Sequence, residues 1–229
     1  MHGASNGAVK ALAAVGAVGA LGFLLTLGEP QRGLRLVTKA LPMLCLLAWM
    51  WPTRTRYARW ILAGLGLSLL GDVLLELGPG FFLPGLGAFL LAHLGYTVAY
   101  LQATRAPSPG RALPFLVLAV GASVLLHPWL GEMTVPVTLY VAVICTMAWR
   151  AAALMNSAEV PRQRQWTAFA GALLFAASDG LLAIKLFVRP LPGGSYAVML
   201  LYWAAQLSIA WSAREPREAP LEAHAPTAA

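Results

Sequence analysis

An all-α fold, built as a polytopic membrane bundle of about eight transmembrane helices, follows from three observations on the sequence. The 229-residue chain is 59% hydrophobic and only 11% charged. Its mean hydropathy lies far above that of an ordinary soluble domain. Apolar stretches of about 20 residues recur along it, each long enough to cross ~30 Å of hydrocarbon at a rise of about 1.5 Å per residue.

Taken in order, the spans fall near residues 8–28, 34–51, 58–77, 81–101, 112–130, 133–155, 166–187 and 194–213. The first follows only "MHGASNG" and has Lys10 at its start. A cleaved signal peptide is the competing reading there. The "EPQRG" beyond it offers no small-x-small cleavage site and the apolar run is long for a leader, so a retained helix is expected. The loops are short. Residues 1–213 are expected to form a single transmembrane domain, and residues 214–229, rich in Pro, Ala and Glu, a disordered cytoplasmic tail. Cys45 and Cys145 lie within spans, show no metal or redox spacing and read as packing residues.

The net charge of +7 follows topology and argues against a nucleic-acid partner. One side of an eight-span chain collects Lys10, Arg54, Arg56, Arg59, Arg105, Arg111, Arg150, Arg162, Arg164, Arg214 and Arg217. The other has Arg32, Arg35 and Arg189 near its loops. By the positive-inside rule both termini are cytoplasmic, and the bias supports an even number of spans. Richness in Ala, Gly, Leu and Arg with compact loops suggests a bacterial inner membrane. The sequence carries no signal of oligomeric state.

Two spans contain an acid in a matching setting. The third reads "LSLLGDVLLEL" and the seventh "FAASDGLLAIKLF": a small residue, Asp, one more residue, then Leu-Leu. A four-helix unit used twice in the same orientation would run both spans outward and hold Asp72 and Asp179 at similar depth, facing each other.

Ionisable groups within a span face the bundle interior and are functional candidates by default. Here they are Lys39, Asp72, Glu76, His93, Asp179 and Lys185, with Tyr96, Tyr202 and Gln206 as polar neighbours. Each has a plainer reading. Lys185 lies near a span end and can snorkel as an anchor. His93 and Tyr96, three apart on one face, serve equally as interhelical glue. Lys39 matches the depth of Asp72 and is a candidate counterion. Glu76, one turn beyond Asp72, lies near enough to the outer end to be solvated. Gly85 and Gly87 read as helix-packing positions. For the two aspartates the structural reading is weaker, because Ser, Thr or Asn would make a polar contact at lower desolvation cost. Two carboxyl groups in a low-dielectric site do not both ionise easily, so one keeps its proton while the other serves as a base. That pairing suits general acid/base hydrolysis without a metal.

Other catalytic patterns are missing: the sequence has no GxSxG, HExxH or Walker motif, and "GAVGALG" in the first span suits helix packing rather than nucleotide binding. His93 with the two aspartates is a conceivable metal set, the weaker alternative to metal-free catalysis.

With "KALP" in the second span, "SLLGDVLL" in the third, "PGLGAFLLAHLGY" in the fourth, "ASDGLLA" in the seventh and "YWAAQLSI" in the eighth, the chain resembles the YhhN-like lysoplasmalogenase family of polytopic membrane proteins. The resemblance covers most of the chain in order, while spans one, five and six contribute little. It implies hydrolysis of the vinyl ether bond of a lysophospholipid substrate, lysoplasmalogen, to a fatty aldehyde and glycerophospho-ethanolamine or -choline. In that reading Asp72 and Asp179 are the catalytic pair, in either order of roles. Lys39, His93, Tyr96, Tyr202 and Gln206 contact substrate in the cavity, and no metal or organic cofactor is needed. Membrane lipids surround the protein, and no nucleic acid is involved. A proton-coupled transporter of a lipid-like or cationic solute, with the acids as a relay, is the alternative.

Overall fold

The computed structural model describes residues 6–28 and 31–214. The tail expected to be disordered lies, from residue 215 on, outside the described residues. Among those described, eight α-helices follow one another: α1 (Asn6–Leu25), α2 (Arg32–Met50), α3 (Arg56–Leu77), α4 (Phe82–Ala103), α5 (Pro109–Leu130), α6 (Thr134–Ala153), α7 (Arg162–Ala183) and α8 (Gly194–Ser212). One π-turn, Ile184–Val188, extends α7.

By length and composition, six helical segments among the described residues suffice to cross a bilayer. One of them, the 45-residue run Pro109–Ala153, contains both α5 and α6. It folds back at Gly131, whose φ of 51° is a left-handed conformation that glycine adopts at little cost. The helix outside this set is α8. Its apolar character is diluted by Gln206 and Ser212, which are fully buried and so turned toward the protein rather than toward lipid.

The helices pack as four consecutive hairpins, α1/α2, α3/α4, α5/α6 and α7/α8, of which α3/α4 and α7/α8 are the most closely packed. Further contacts of α2 and α3 with α8, and of α6 with α4 and α7, join the hairpins around one core. Close approach depends on glycines: a Cβ on Gly71 would sit 2.6 Å from the Phe89 ring, and one on Gly85 2.7 Å from Leu75 Cδ2. Gly87, also expected to pack, faces open space instead. Outward faces are strongly apolar, as in α5, where Leu113, Leu116, Val117, Val124 and Leu125 are exposed. In water such a surface would drive aggregation; in a bilayer it is the solvated surface.

Arginines at one end of the bundle satisfy helix ends rather than floating free. Arg111 donates to the carbonyls of Ala152 at 2.9 Å and Met155 at 2.5 Å, and Arg150 donates to those of Ala106 and Thr104 at 2.9 and 2.8 Å. These carbonyls lie at α6's C-terminus, where Ala152 O also accepts from Met155 N at 3.1 Å, and in the α4–α5 loop, and a guanidinium meets such groups with several donors at once. At the opposite end, Arg32 donates to Leu77 O at 2.9 Å where Gly78 (φ 123°) terminates α3.

Candidate active site

Asp72 is the 17th residue of α3 and is 3% exposed. A carboxylate so placed needs partners, and two neighbouring helices supply them. Lys39 of α2 brings its Nζ to 3.3 Å from Oδ1, and the Tyr202 hydroxyl of α8 donates to Oδ2 at 2.5 Å. The Lys39 ammonium also stands 3.8 Å from Glu76 Oε2, and Arg35 Nε donates to Glu76 Oε1 at 2.8 Å. Asp72 and Glu76 are four apart on one face, and Arg35 and Lys39 are four apart on another. The result is a row of alternating charge, Arg35, Glu76, Lys39, Asp72, in which each neighbour offsets the desolvation of the next. Glu76 is thus held by two cations, with its side chain 11% exposed, rather than solvated as its position near a span end suggested.

Asp179 is the 18th residue of α7, nearly the same depth as Asp72 in α3, but its setting differs. The Tyr140 hydroxyl of α6 donates to Oδ2 at 2.5 Å, and no ion pair reaches this carboxyl group among the described residues. The preceding residue, Ser178, donates across to Val198 O of α8 at 2.9 Å.

Both acids line one cavity of about 570 Å³. Its charged lining also includes Arg35, Lys39, Glu76 and Lys185. Its apolar lining includes Leu118 and Leu126 of α5, Val141 and Ile144 of α6, and Phe89 of α4. A chamber with charges at one part and an aliphatic wall at another accommodates an amphiphile of one chain and one polar head.

Of the remaining residues expected to touch substrate, Lys39 and Tyr202 line this cavity. His93, Tyr96 and Gln206 do not; they lie behind it. Tyr96 donates to Gln206 Oε1 at 2.7 Å and stands 3.3 Å from Ser68 Oγ, and Gln206 in turn adjoins Tyr202. The His93 ring meets the edges of Phe175 and Tyr140 at centroid distances of 4.5 and 5.2 Å, fully enclosed. Among the described residues no group of three His, Cys, Asp or Glu side chains stands close enough to hold a metal ion.

Tyr140 is absent from the sequence reading because span six contributes little to the family resemblance. One signal pointed to it: Tyr140 is the seventh residue of α6 as Lys39 is the eighth of α2, so each acid receives a donor from the corresponding place on the preceding helix. Lys185 also differs from expectation. It does not simply reach for the interface but donates to Ser195 Oγ at 2.6 Å, and both residues line the cavity.

Eight apolar helices around a chamber lined by Asp72 and Asp179, an acid from each of two matched helices, with Glu76 beside the first, define a polytopic membrane protein with an internal acid pair. The model of the YhhN family matches residues 34–213, and the chain belongs to that family. Among its relatives, lysoplasmalogenase TMEM86B of Homo sapiens is 36% identical over 181 residues, covering 77% of this chain and 74% of the relative. The lysoplasmalogenase of Mycobacterium tuberculosis (strain CDC 1551 / Oshkosh) is 38% identical over 182 residues, 75% and 67% of the two chains. Lysoplasmalogenase TMEM86A of Bos taurus is 35% identical over 201 residues, 80% and 79%. No solved structure matches the chain. The matched residues include both aspartates, Lys39, Tyr140 and Tyr202, whereas α1 lies outside them.

Proposed function

We propose that this protein is a lysoplasmalogenase, hydrolysing the vinyl ether bond of a lysophospholipid to a fatty aldehyde and glycerophospho-ethanolamine or -choline. The relatives' names supply the activity, and the observation that carries the reading to this chain is the presence of Asp72 and Asp179 on the wall of one amphiphilic cavity.

The two settings suggest different tasks. Asp72 faces the Lys39 ammonium, whereas Asp179 has a neutral phenol and, among the described residues, no ion pair, so we assign Asp72 as the carboxylate and Asp179 as the proton carrier. Asp179 delivers that proton to the alkene carbon remote from the ether oxygen, leaving an oxocarbenium ion at the adjacent carbon. Asp72 stabilises this cation and takes a proton from the attacking water. The hemiacetal so formed collapses: its C–O bond to glycerol breaks, the glycerol oxygen gains a proton, and the aldehyde departs. Asp72 returns its proton to the departing glycerol oxygen and the hemiacetal hydroxyl proton passes to Asp179, so both carboxyl groups end as they began; no metal or organic cofactor enters the scheme. Tyr202 and Tyr140 orient the two carboxyl groups, with Tyr96 and Gln206 behind Tyr202.

The protein works as a multi-pass protein of a bacterial inner membrane. The end carrying Arg54, Arg56, Arg105, Arg150 and Arg162 is cytoplasmic together with both termini. The decisive experiment incubates purified protein with a defined 1-alkenyl lysophospholipid, with and without chelator, beside D72N and D179N. Aldehyde from wild type alone, indifferent to chelator, is expected. A folded wild type that forms none would overturn the assignment and direct attention to proton-coupled flux in vesicles.

A further inference from the structure

Three cations line the cavity, and two of them are already committed to carboxylates: Arg35 to Glu76 at 2.8 Å, and Lys39 to Asp72 at 3.3 Å. The third, Lys185, forms no ion pair with the described residues. Its polar partner is the Ser195 hydroxyl at 2.6 Å, itself on the cavity wall in the first turn of α8. An ammonium held against a hydroxyl, without a counter-charge, is poised to receive an anion from the chamber. The hydroxyl and the N-terminal end of the α8 dipole favour the same sign of ligand.

The local backbone places this pair. Lys185 sits in the π-turn Ile184–Val188, where the widened helix rotates its side chains relative to a regular α7. It follows Asp179 by six residues, so its Cα lies about 9 Å along the helix from that of the acid, somewhat less through the π-turn. In a 1-alkenyl lysophospholipid the ether oxygen and the phosphorus are separated by five bonds, about 6 Å when extended. Asp179, Lys185 and Ser195 line the same cavity, and the flexible lysine side chain adds several ångströms of reach, so one substrate can meet the acid and the ammonium together.

We propose that Lys185 and Ser195 form the subsite that binds the substrate's phosphodiester, fixing the vinyl ether at Asp179 while the alkyl chain lies along the α5–α6 wall. This rests on the lysoplasmalogenase reading of the site. The ligand chemistry is a singly charged phosphodiester, and the pair selects phosphorylated over phosphate-free alkenyl glycerols.

The test uses the full chain in detergent and two readouts. In the first, kcat/KM is compared for a 1-alkenyl glycerophosphoethanolamine and a 1-alkenylglycerol. Wild type is expected to prefer the former; K185M reduces that preference about tenfold or more, mainly through KM, whereas K185R keeps most of it. S195A reduces it by a smaller factor. An unchanged preference in K185M overturns the proposal. The second readout needs no turnover: binding of a 1-alkyl lysophospholipid, whose saturated ether is not cleaved, against a 1-alkylglycerol. Loss of the phosphate-dependent part of binding in K185M supports the subsite even if the wild type releases no aldehyde, so the failure of either idea is visible separately. Inorganic phosphate at millimolar concentration should compete only weakly. Competition by free phosphate as strong as by the lysophospholipid would overturn the headgroup assignment.

Discussion

The α3 acid and the α7 acid occupy corresponding places and live in opposite company. Each sits 17 or 18 residues into its helix, each accepts a phenolic hydrogen bond at 2.5 Å, and each receives a group from the preceding even-numbered helix. For Asp72 that group is an ammonium, itself part of a four-charge row reaching Arg35. For Asp179 it is Tyr140. The contrast extends to the hairpin partners: the ninth residue of α8 is Tyr202, which serves Asp72, whereas the eighth of α4 is Phe89, which donates nothing. Similar scaffolds thus give one carboxyl group an ionic environment and the other a neutral one. Charge compensation, not depth, separates the two.

The largest expected effect tests whether both are required. D72N and D179N should each lower aldehyde release by at least about a hundredfold, in the range assigned to general acid/base groups. Retention of near-normal turnover in either would reduce the pair to a single acid. Next comes the cost of removing the cation. K39M leaves Asp72 and Glu76 short of a buried counter-charge and should destabilise the folded protein by on the order of 3 kcal/mol, read as a lower Tm in detergent. The double variant K39M/D72N should recover a good part of that loss, and additive losses would show that the ion pair is not what holds the region.

The phenols sharpen the comparison at a smaller scale. Tyr140 is the hydrogen-bond donor to an acid that has no ion pair among the described residues, whereas Tyr202 shares Asp72 with Lys39, so Y140F is expected to lower kcat by about tenfold and Y202F by less. Equal effects would mean that Lys39 does not relieve Tyr202 of its role. Smallest of all is a packing contrast. G71A forces a methyl group against the Phe89 ring and should cost about 1–3 kcal/mol, while G87A, with open space at its Cβ, should change Tm little.

Much of this architecture was legible in the sequence because lipid demands long apolar runs, whatever the tertiary contacts. Span boundaries of 34–51 and 58–77 compare with helices at Arg32–Met50 and Arg56–Leu77. Lys39 as partner of Asp72 was also readable, since charges at equal depth in adjacent hairpins have few alternatives to one another. Orientation about the helix axis was not. When one face of a helix meets lipid and the other meets an apolar core, no hydrophobic stripe marks the inside, so nothing told that His93 and Gln206 lie behind the cavity rather than on it. Tyr140 was hidden for a related reason: its acceptor is 39 residues away, and a single tyrosine in an apolar span resembles any packing residue. The π-turn leaves no composition signature either, and Lys185 therefore read as an anchor.

The residue just before each acid carries a consequence of its own. Gly71 admits the Phe89 ring of α4 against the α3 backbone, and Ser178 fastens α7 to the Val198 carbonyl of α8. One is a notch and the other a pin, but both set the clock angle of the helix that bears the carboxyl group, one peptide unit away from it. The two carboxyl groups are thereby indexed to the hairpins rather than to the membrane. If the bilayer thins or thickens and the helices tilt, the two acids move with their hairpins, and their mutual bearing is protected from the lipid around them.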